Sequence, residues 1–463
     1  MQGYSFGDIR LDRRGDAMTE QIVASGSLVL RRFGGGRSGE LAAARFLASS
    51  KVTPEAIIDI HARRTETAAL GLRIVAIQDT TEVNFSGRDR GRKGLGPAGD
   101  GKSLGFFIHA TVAVDADSET LLGVLDAQLW TRPQENTGKR RQTAAVEEKE
   151  TMRWIKAMKV AHLRLVRSAA KRIHITDREG DFYALLARVP NGDEVVIRAR
   201  HDRKMPAGGT LFEQADAWPN LGEEIEIAVP PRGPGDKPRK ARIVLRANRV
   251  KLAKPEAKVR TPDPSEIDIG LVEVRELNPP AGVKGVHWRL LTTLPTATLK
   301  DAAEVVRLYR LRWRIEQVFR ALKSDGLALE ETQVQEAERL FKLAALGLTA
   351  AVRILQLVDA RDGSDRPASD VIDTQLIEPA AAIGNTLEGK TKRQQNPHQK
   401  GSLAWLSWIA ARLGGWNCYY KPPGPKTMAI GWRQLAAMIS GFIIAMPDLG
   451  LRSRCVNPVA RRV

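Results

Sequence analysis

Arg73-Ile-Val-Ala-Ile-Gln-Asp79 is an apolar run of strand length that stops at a carboxylate, and Arg172-Ile-His-Ile-Thr-Asp177 repeats the pattern farther along the chain. Short β-branched runs bounded by polar residues read as strands. The carboxyl ends of strands are where an open α/β sheet presents its ligands. An Asp at such a position is also a common turn former, so neither residue alone decides between catalysis and a turn. Outward from this pair, Phe106 to Val114 and Thr120 to Leu129 read as antiparallel strands joined at Asp115-Ala-Asp-Ser118. Gln142 to Ala170 has a helical period, and Glu194 to Arg200 and Trp288-Arg-Leu-Leu-Thr292 are further strands. Strands interleaved with helices define a mixed α/β core.

Three segments surround or interrupt this core. Residues 1–68 have helical periods broken at Gly34-Gly-Gly36 and Val52-Thr-Pro54, which predicts a small helical domain. Residues 203–285 are strand-rich with many Pro and Gly, and long helices are expected from Ala302 to Ser324 and from Leu329 to Leu357. Residues 361–463 read as helical around a polar loop at 384–400. The division expected is therefore 1–68, 69–360 with an insertion at about 203–285, and 361–463, within the range of about 100–200 residues per domain.

A hydrophobic share of 43% and a charged share of 27% are globular values, so wholesale disorder is excluded. Only Cys418 and Cys455 are present, too few for a disulfide framework or a Cys-based zinc site, which suits a reducing cytoplasmic compartment. The run Leu435 to Met446 is interrupted by Ser440 and Gly441 and is shorter than the roughly 20 residues that span a bilayer. The N-terminus has no basic segment followed by an apolar one, so neither secretion nor membrane insertion is expected.

With 72 Lys+Arg against 54 Asp+Glu the net charge is +18, which calls for an anionic partner. Residues 1–70 carry ten basic and eight acidic side chains, whereas Arg232 to Arg260 carry eleven and two, half of the excess in one stretch. That stretch fits a solvated hairpin face as well as a phosphate-tracking surface. Gly96-Pro-Ala-Gly-Asp-Gly-Lys-Ser103 satisfies the phosphate-loop pattern. The physics also requires a strand before it and a helix beginning at the Ser, whose free N–H groups face the phosphates. Here a polar loop, Ser86 to Lys93, precedes it, and the strand-like Leu104-Gly-Phe-Phe-Ile follows. A nucleotide-binding role is accordingly the remote alternative.

A third acid lies in Leu308-Tyr-Arg-Leu-Arg-Trp-Arg-Ile-Glu-Gln-Val-Phe-Arg-Ala-Leu-Lys323. On a continuous helix, at about 100° per residue, Tyr309, Arg312, Glu316 and Lys323 fall within an arc of roughly 60° beside the apolar arc of Leu308, Leu311, Ile315, Phe319 and Leu322. An Arg/Glu surface stripe with intrahelical pairing gives the same pattern. Three carboxylates can hold two divalent cations about 3.5–4 Å apart, activating water or a 3′-hydroxyl on one side of a phosphodiester and stabilising the leaving oxygen on the other. Oxygen ligation suits Mg²⁺, with Mn²⁺ as substitute, and the seven His residues are too scattered for a zinc site. Arg198, Arg200 and Lys204 follow the second acid and could track a backbone.

With these residues assembled, the chain resembles the DDE transposases of the IS-four group. Asp79 sits in Ile-Gln-Asp-Thr-Thr, Asp177 in Asp-Arg-Glu-Gly-Asp, and Tyr309, Arg312, Glu316 and Lys323 match the group's Tyr-x2-Arg-x3-Glu-x6-Lys signature. Phe46-Leu-Ala-Ser-Ser-Lys-Val-Thr-Pro54, Gly401-Ser-Leu-Ala-Trp405 and Ala411-Arg-Leu-Gly-Gly415 extend the likeness toward both ends. The group more usually has Asp-Arg-Glu-Ala-Asp where this chain has Gly180. The resemblance implies an RNase H-like catalytic core, a mixed five-stranded sheet with helices and a β-strand insertion. It also implies an N-terminal helical domain that reads transposon ends and a helical C-terminal dimerisation region. Asp79, Asp177 and Glu316 would be catalytic metal ligands for two Mg²⁺ ions. Tyr309, Arg312 and Lys323 would contact DNA, Trp288 would stack against a flipped base with Trp313 as a helper, and Arg198 would lie against end DNA. The implied activity is cut-and-paste transposition of double-stranded DNA through a hairpin intermediate, by a homodimer in a synaptic complex. A cleavage-deficient repressor of transposition, binding DNA through the same domains, is the alternative.

Overall fold

A computed structural model describes residues 4–87, 91–99, 103–133, 150–205, 208–229, 238–256, 261–323 and 327–445. The chain divides into two units, one of Met1–Leu70, Thr80–Glu135 and Arg314–Val463, the other of Gly71–Asp79 and Asn136–Trp313.

The first unit opens with helices α1 (Ile9–Ser25), α2 (Leu30–Phe33), α3 (Arg37–Ala48) and α4 (Pro54–Ala68). Their limits follow from capping. Asp8 accepts from the Arg10 N–H at the start of α1, Gly26 closes it at φ 59°, and Thr53 caps α4 with Pro54 in the first turn. These helices pack around α10 (Ala337–Ala360), where buried Lys342 donates to the carbonyls of Leu47 and Ser49 at 3.0 and 2.9 Å and caps the end of α3. Among the described residues α10 alone is long and apolar enough to cross a membrane, but 89% of its apolar window is buried inside the protein. Such all-round hydrophobicity marks a central core helix. Helices α11 (Ile377–Leu387), α12 (Leu403–Leu413) and α13 (Pro425–Ala445) complete the helical part. Strands β2 (Gly96–Ala98), β3 (Ser103–Asp115) and β4 (Leu121–Trp130) pair antiparallel, and β3 also lies beside the second half of β1 (Arg73–Asn84). Helix α4 sits close on β4 because residue 123 is Gly: a Cβ there would fall 2.0 Å from Thr65 Oγ1, which instead donates to the Val124 carbonyl at 2.9 Å.

In the second unit the first half of β1 pairs in parallel with β5 (Lys171–Thr176), which pairs in parallel with β6 (Asp193–Arg198). The order continues through β10 (His287–Thr292), β9 (Glu266–Glu276), β8 (Arg239–Ala253) and β7 (Ile225–Val229), all antiparallel. The strand-rich insertion is therefore not a separate body: β7 to β9 extend the sheet of β1, β5 and β6 edge to edge through β10. Helices α5 (Met152–Leu165), α6 (Tyr183–Ala187) and α7 (Leu211–Ala217) share one apolar core with this sheet, including Trp154, Ile155, Met158, Leu185, Val195, Ile197, Leu211, Leu252, Leu271 and Leu291. The chain is thus mixed α/β with a mixed sheet, compatible with an RNase H-like transposase domain.

Element limits differ from the sequence reading in three places. Strand β1 does not stop at Asp79 but runs to Asn84, because Thr81 and Val83 are buried in alternation and continue the strand. Leu329–Glu331 is a single 3-10 turn, and the long helix starts only at Ala337. Of the helix expected over 142–170, residues 142–149 lie outside the described residues and the described helix is α5.

Candidate active site

The parallel pairing of β1 with β5 runs from Arg73 opposite Lys171 to Ile77 opposite Ile175. Asp79 and Asp177 each follow two residues after the last of these pairs. Asp177 remains extended, at φ −81° and ψ −160°. Residues two apart project from the same face, and neighbouring strands lie about 4.8 Å apart, so the two carboxylates share one face at the end of the paired region. Asp177 also caps the 3-10 turn Arg178–Gly180, its Oδ1 accepting from the Glu179 N–H at 2.8 Å. No hydrogen bond among the described residues uses its Oδ2. Asp79 Oδ2 accepts from Arg312 Nη1 at 3.0 Å, both side chains being largely buried. Two hard anionic oxygen donors side by side suit a divalent cation, and a guanidinium already offsets part of their charge.

The signature helix is two helices. Helix α8 (Leu299–Arg310) ends in a tight turn in which the Leu311 and Arg312 N–H groups reach back three residues to Leu308 and Tyr309, both at 3.0 Å, and α9 (Trp313–Lys323) begins anew. No Gly or Pro announces the break, which is why periodicity read straight through it. The apolar arc is buried as expected, with Leu308, Leu311, Ile315, Phe319 and Leu322 each 5% exposed or less. The polar positions divide between the units. Tyr309 and Arg312 lie in the second unit with Asp79 and Asp177, whereas Glu316 and Lys323 lie on α9 in the first. Glu316 is half-buried in the first turn of α9, where a helix dipole favours a carboxylate. Lys323 Nζ donates to the Glu82 carbonyl at 3.0 Å.

Within the second unit, Tyr309 is nearly buried and its ring meets Trp288 edge-on at 5.5 Å. Its hydroxyl pairs with Arg198. Burial pushes the Tyr309 hydroxyl up, and nearby Asp177 adds to this against the opposing pull of Arg312 and Arg198. Burial lowers the Arg198 guanidinium, with Arg178 and Arg312 adding repulsion against the pull of Tyr309. Arg198 Nη2 also donates to the His287 carbonyl at 3.4 Å. Asp177, Arg198, Trp288, Tyr309 and Arg312 therefore converge, with exposed Arg178 beside them. Arg178 was not singled out from sequence, although it follows Asp177 directly.

The pentapeptide Asp177-Arg-Glu-Gly-Asp181 also carries structural information that composition hides. A Cβ on Gly180 would lie 2.2 Å from Thr176 Oγ1 and 2.6 Å from Thr176 Cβ. A side chain at residue 180 would force Thr176 or the turn to shift. Asp181 is buried and bound to the segment after β6.

Two charged regions look like sites and are already balanced. Asp216, Glu273 and His287 have ligand atoms within 4.8 Å of one another. Arg289 lies 2.7 Å from Asp216 and 3.2 Å from Glu273, Arg275 lies 2.8 Å from Asp216, and Arg246 lies 3.4 Å from Glu273. Three guanidinium groups leave no electrostatic need for a metal there. The basic insertion is similarly paired: Lys240 with Glu226, Arg242 with Glu224, Arg239 with Glu276, Arg249 with Asp268, and Lys251 with Glu266. These pairs are those of a solvated hairpin, and Lys254 donates instead to the Thr261 and Asp263 carbonyls. The Gly-Lys-Ser motif fails on structure as well. Gly96–Ala98 is strand β2 and Ser103 begins strand β3, not a helix, while residues 100–102 lie outside the described residues.

Two carboxylates just beyond the parallel β1–β5 pairing, with guanidinium groups and an aromatic pair nearby, suit metal-dependent phosphoryl transfer. Residues 117–353, just over half of the chain, match the family described as the transposase DDE domain, and the chain belongs to that family. It is accordingly a transposase, a DNA-binding enzyme that uses divalent metal. The match includes Asp177, Glu316 and the whole Tyr-Arg-Glu-Lys signature, whereas Asp79 precedes it.

Proposed function

We propose that the chain is a cut-and-paste transposase of the IS-four group, most like the transposase of transposon Tn-five, acting on the ends of its own element as a homodimer. Asp79, Asp177 and Glu316 hold two divalent cations, Mg²⁺ with Mn²⁺ as substitute. What supports the reading is the parallel pairing of β1 with β5, which ends two residues before Asp79 and Asp177, together with Arg312 on Asp79 and the grouping of Arg198, Tyr309 and Trp288. The cations supply a more acidic nucleophile and a stabilised leaving oxygen. Arg312, Arg198 and Lys323 grip phosphate, Tyr309 fixes the phosphate beside the reacting strand, and Trp288 offers its face to an extruded base, offsetting unstacking of a few kcal/mol. Water first displaces a 3′-oxygen from phosphorus, which leaves as the 3′-hydroxyl. That hydroxyl then attacks the opposite strand to close a hairpin, water reopens it, and the freed 3′ end joins target DNA.

Residues 1–68 read the ends, and residues 361–463 dimerise. The alternative, a DNA-binding repressor without cleavage, shares every binding residue, so only catalysis separates the two. Purified protein incubated with Mg²⁺ and the DNA flanking its own gene should yield nicks and then hairpins at discrete positions. Binding without nicks in Mg²⁺ or Mn²⁺ would favour the repressor.

A further inference from the structure

Asp181 lies on the turn after β5, yet its hydrogen bonds reach the segment after β6. Its Oδ2 accepts from the backbone N–H of Arg200 at 2.6 Å, from that of His201 at 2.9 Å, and from Arg203 Nη1 at 3.1 Å, while Oδ1 pairs with Arg203 Nη2. The Asp181 side chain is fully buried and that of Arg203 is 11% exposed. After β6 ends at Arg198, the Ala199 N–H still bonds the Arg289 carbonyl of β10 at 2.7 Å, and the next two N–H groups, of Arg200 and His201, go to this carboxylate. Strands β5 and β6 are parallel neighbours, so Asp177 and Arg198 emerge at the same edge. Asp181 joins the turn that carries the first to the segment that follows the second. Its charge is consumed by Arg203. Exposed Arg178 and Arg200, by contrast, have no acid partner among the described residues.

We infer that Asp181 is a positioning residue: with Arg203 as its counter-ion, it ties the Arg200–His201 backbone, just beyond Arg198, to the turn that carries Asp177, so that a DNA phosphate is gripped by these arginines beside the metal-binding carboxylates. This rests on the transposase reading and adds to it a residue that touches neither DNA nor metal. A buried carboxylate with two backbone donors is a rigid link, and displacement of a gripping group by about 1 Å can cost 100-fold in rate.

The test is the salt dependence of binding to duplex DNA from the flank of its own gene, together with single-turnover cleavage of that duplex in Mg²⁺. Removing both contacts in Arg198→Ala/Arg200→Ala should lower the slope of log K against log salt by about 1.8, at about 0.9 per phosphate. Asp181→Asn should lower it by about one or more and slow cleavage by about 10–100-fold, as the loss of a supporting partner does. Added to the Arg198→Ala/Arg200→Ala variant, Asp181→Asn should lower the slope no further, because it acts through those arginines. Arg203→Met should behave like a weaker Asp181→Asn and Arg203→Lys should restore the wild-type slope, which covers the case of Asp181→Asn folding poorly. An undiminished slope in Asp181→Asn and Arg203→Met, or full additivity with the arginine variant, overturns the inference. A wild-type chain that binds without salt dependence overturns the transposase reading itself.

Discussion

At the scale of single residues, the candidate carboxylates are the feature most visible in the sequence, because an apolar run ending in Asp shows in any window. Asp79 and Asp177 could be paired only once the register of two parallel strands was known. Removing either, by Asp79→Asn or Asp177→Asn, should reduce strand cleavage by well over about 100-fold, beyond what loss of a supporting partner costs, and leave DNA binding in a gel-shift assay near wild type. Glu316→Ala should do the same, and wild-type cleavage by that variant would remove it from the site. Trp288→Ala should impair hairpin closure more than the first nick when both products are resolved on a denaturing gel; equal losses would argue against stacking on a base. Gly180 shows how a departure from a family pattern acquires a reason. Its Cβ position is filled by Thr176, so Gly180→Ala should destabilise by about 1–3 kcal/mol, the usual cost of overpacking, read as a lower thermal midpoint. Thr176→Ala would not rescue it fully, because the 2.6 Å approach to the Thr176 Cβ persists.

At the scale of elements, the strands were readable where they alternate or run apolar, and the misreadings have physical causes. The break between α8 and α9 has no breaker residue, and β1 overran its expected end because burial on one face continued past Asp79. The pairing of β6 with β10, strands separated by the whole insertion, is non-local and leaves no mark in either strand alone. Strand β10 has two distinct faces: Trp288 meets Tyr309 of α8, while Arg289 lies over the Phe212 ring of α7 at 4.3 Å and pairs with Asp216. Below the sheet ends, Asp193 ties β6 to β5 and α5, accepting from His174 at 2.8 Å, from His162 at 3.0 Å and from Arg172. Burial alone would raise its carboxyl, but these hydrogen bonds outweigh burial and hold it below the ordinary carboxylate value. A depressed carboxyl stabilises the fold above the unfolded value, near pH 4, and loses that contribution as pH falls through the folded value. Asp193→Asn should therefore lower stability most near neutral pH, and the gap from wild type should close below about pH 4 in urea titrations. A gap independent of pH would mean that the carboxylate's charge is not what stabilises the link.

At the scale of the whole molecule, the net charge of +18 pointed to nucleic acid, but most of the described cations of its densest stretch are paired across a hairpin. Neutralising Lys240 and Arg249 together should leave the salt slope of DNA binding unchanged, whereas neutralising Arg198 and Arg200 should lower it. Chelation of divalent ions should abolish cleavage and spare binding, the signature expected of a transposase whose carboxylates need metal for chemistry alone. The insertion at 203–285 was visible as composition, yet its attachment to the catalytic sheet was not, because ladder hydrogen bonds carry no side-chain signature. That attachment limits how the protein can be shortened. Excising the insertion would uncover the β10 backbone along its whole pairing with β9 and would strip Leu252, Ile269 and Leu271 from the core. What remained would present a bare, apolar-lined strand edge, a template for pairing with other chains. A compact relative lacking this segment has to cap that edge by other means, and a truncated form of this chain should precipitate even though Asp79, Asp177 and Glu316 all remain in it.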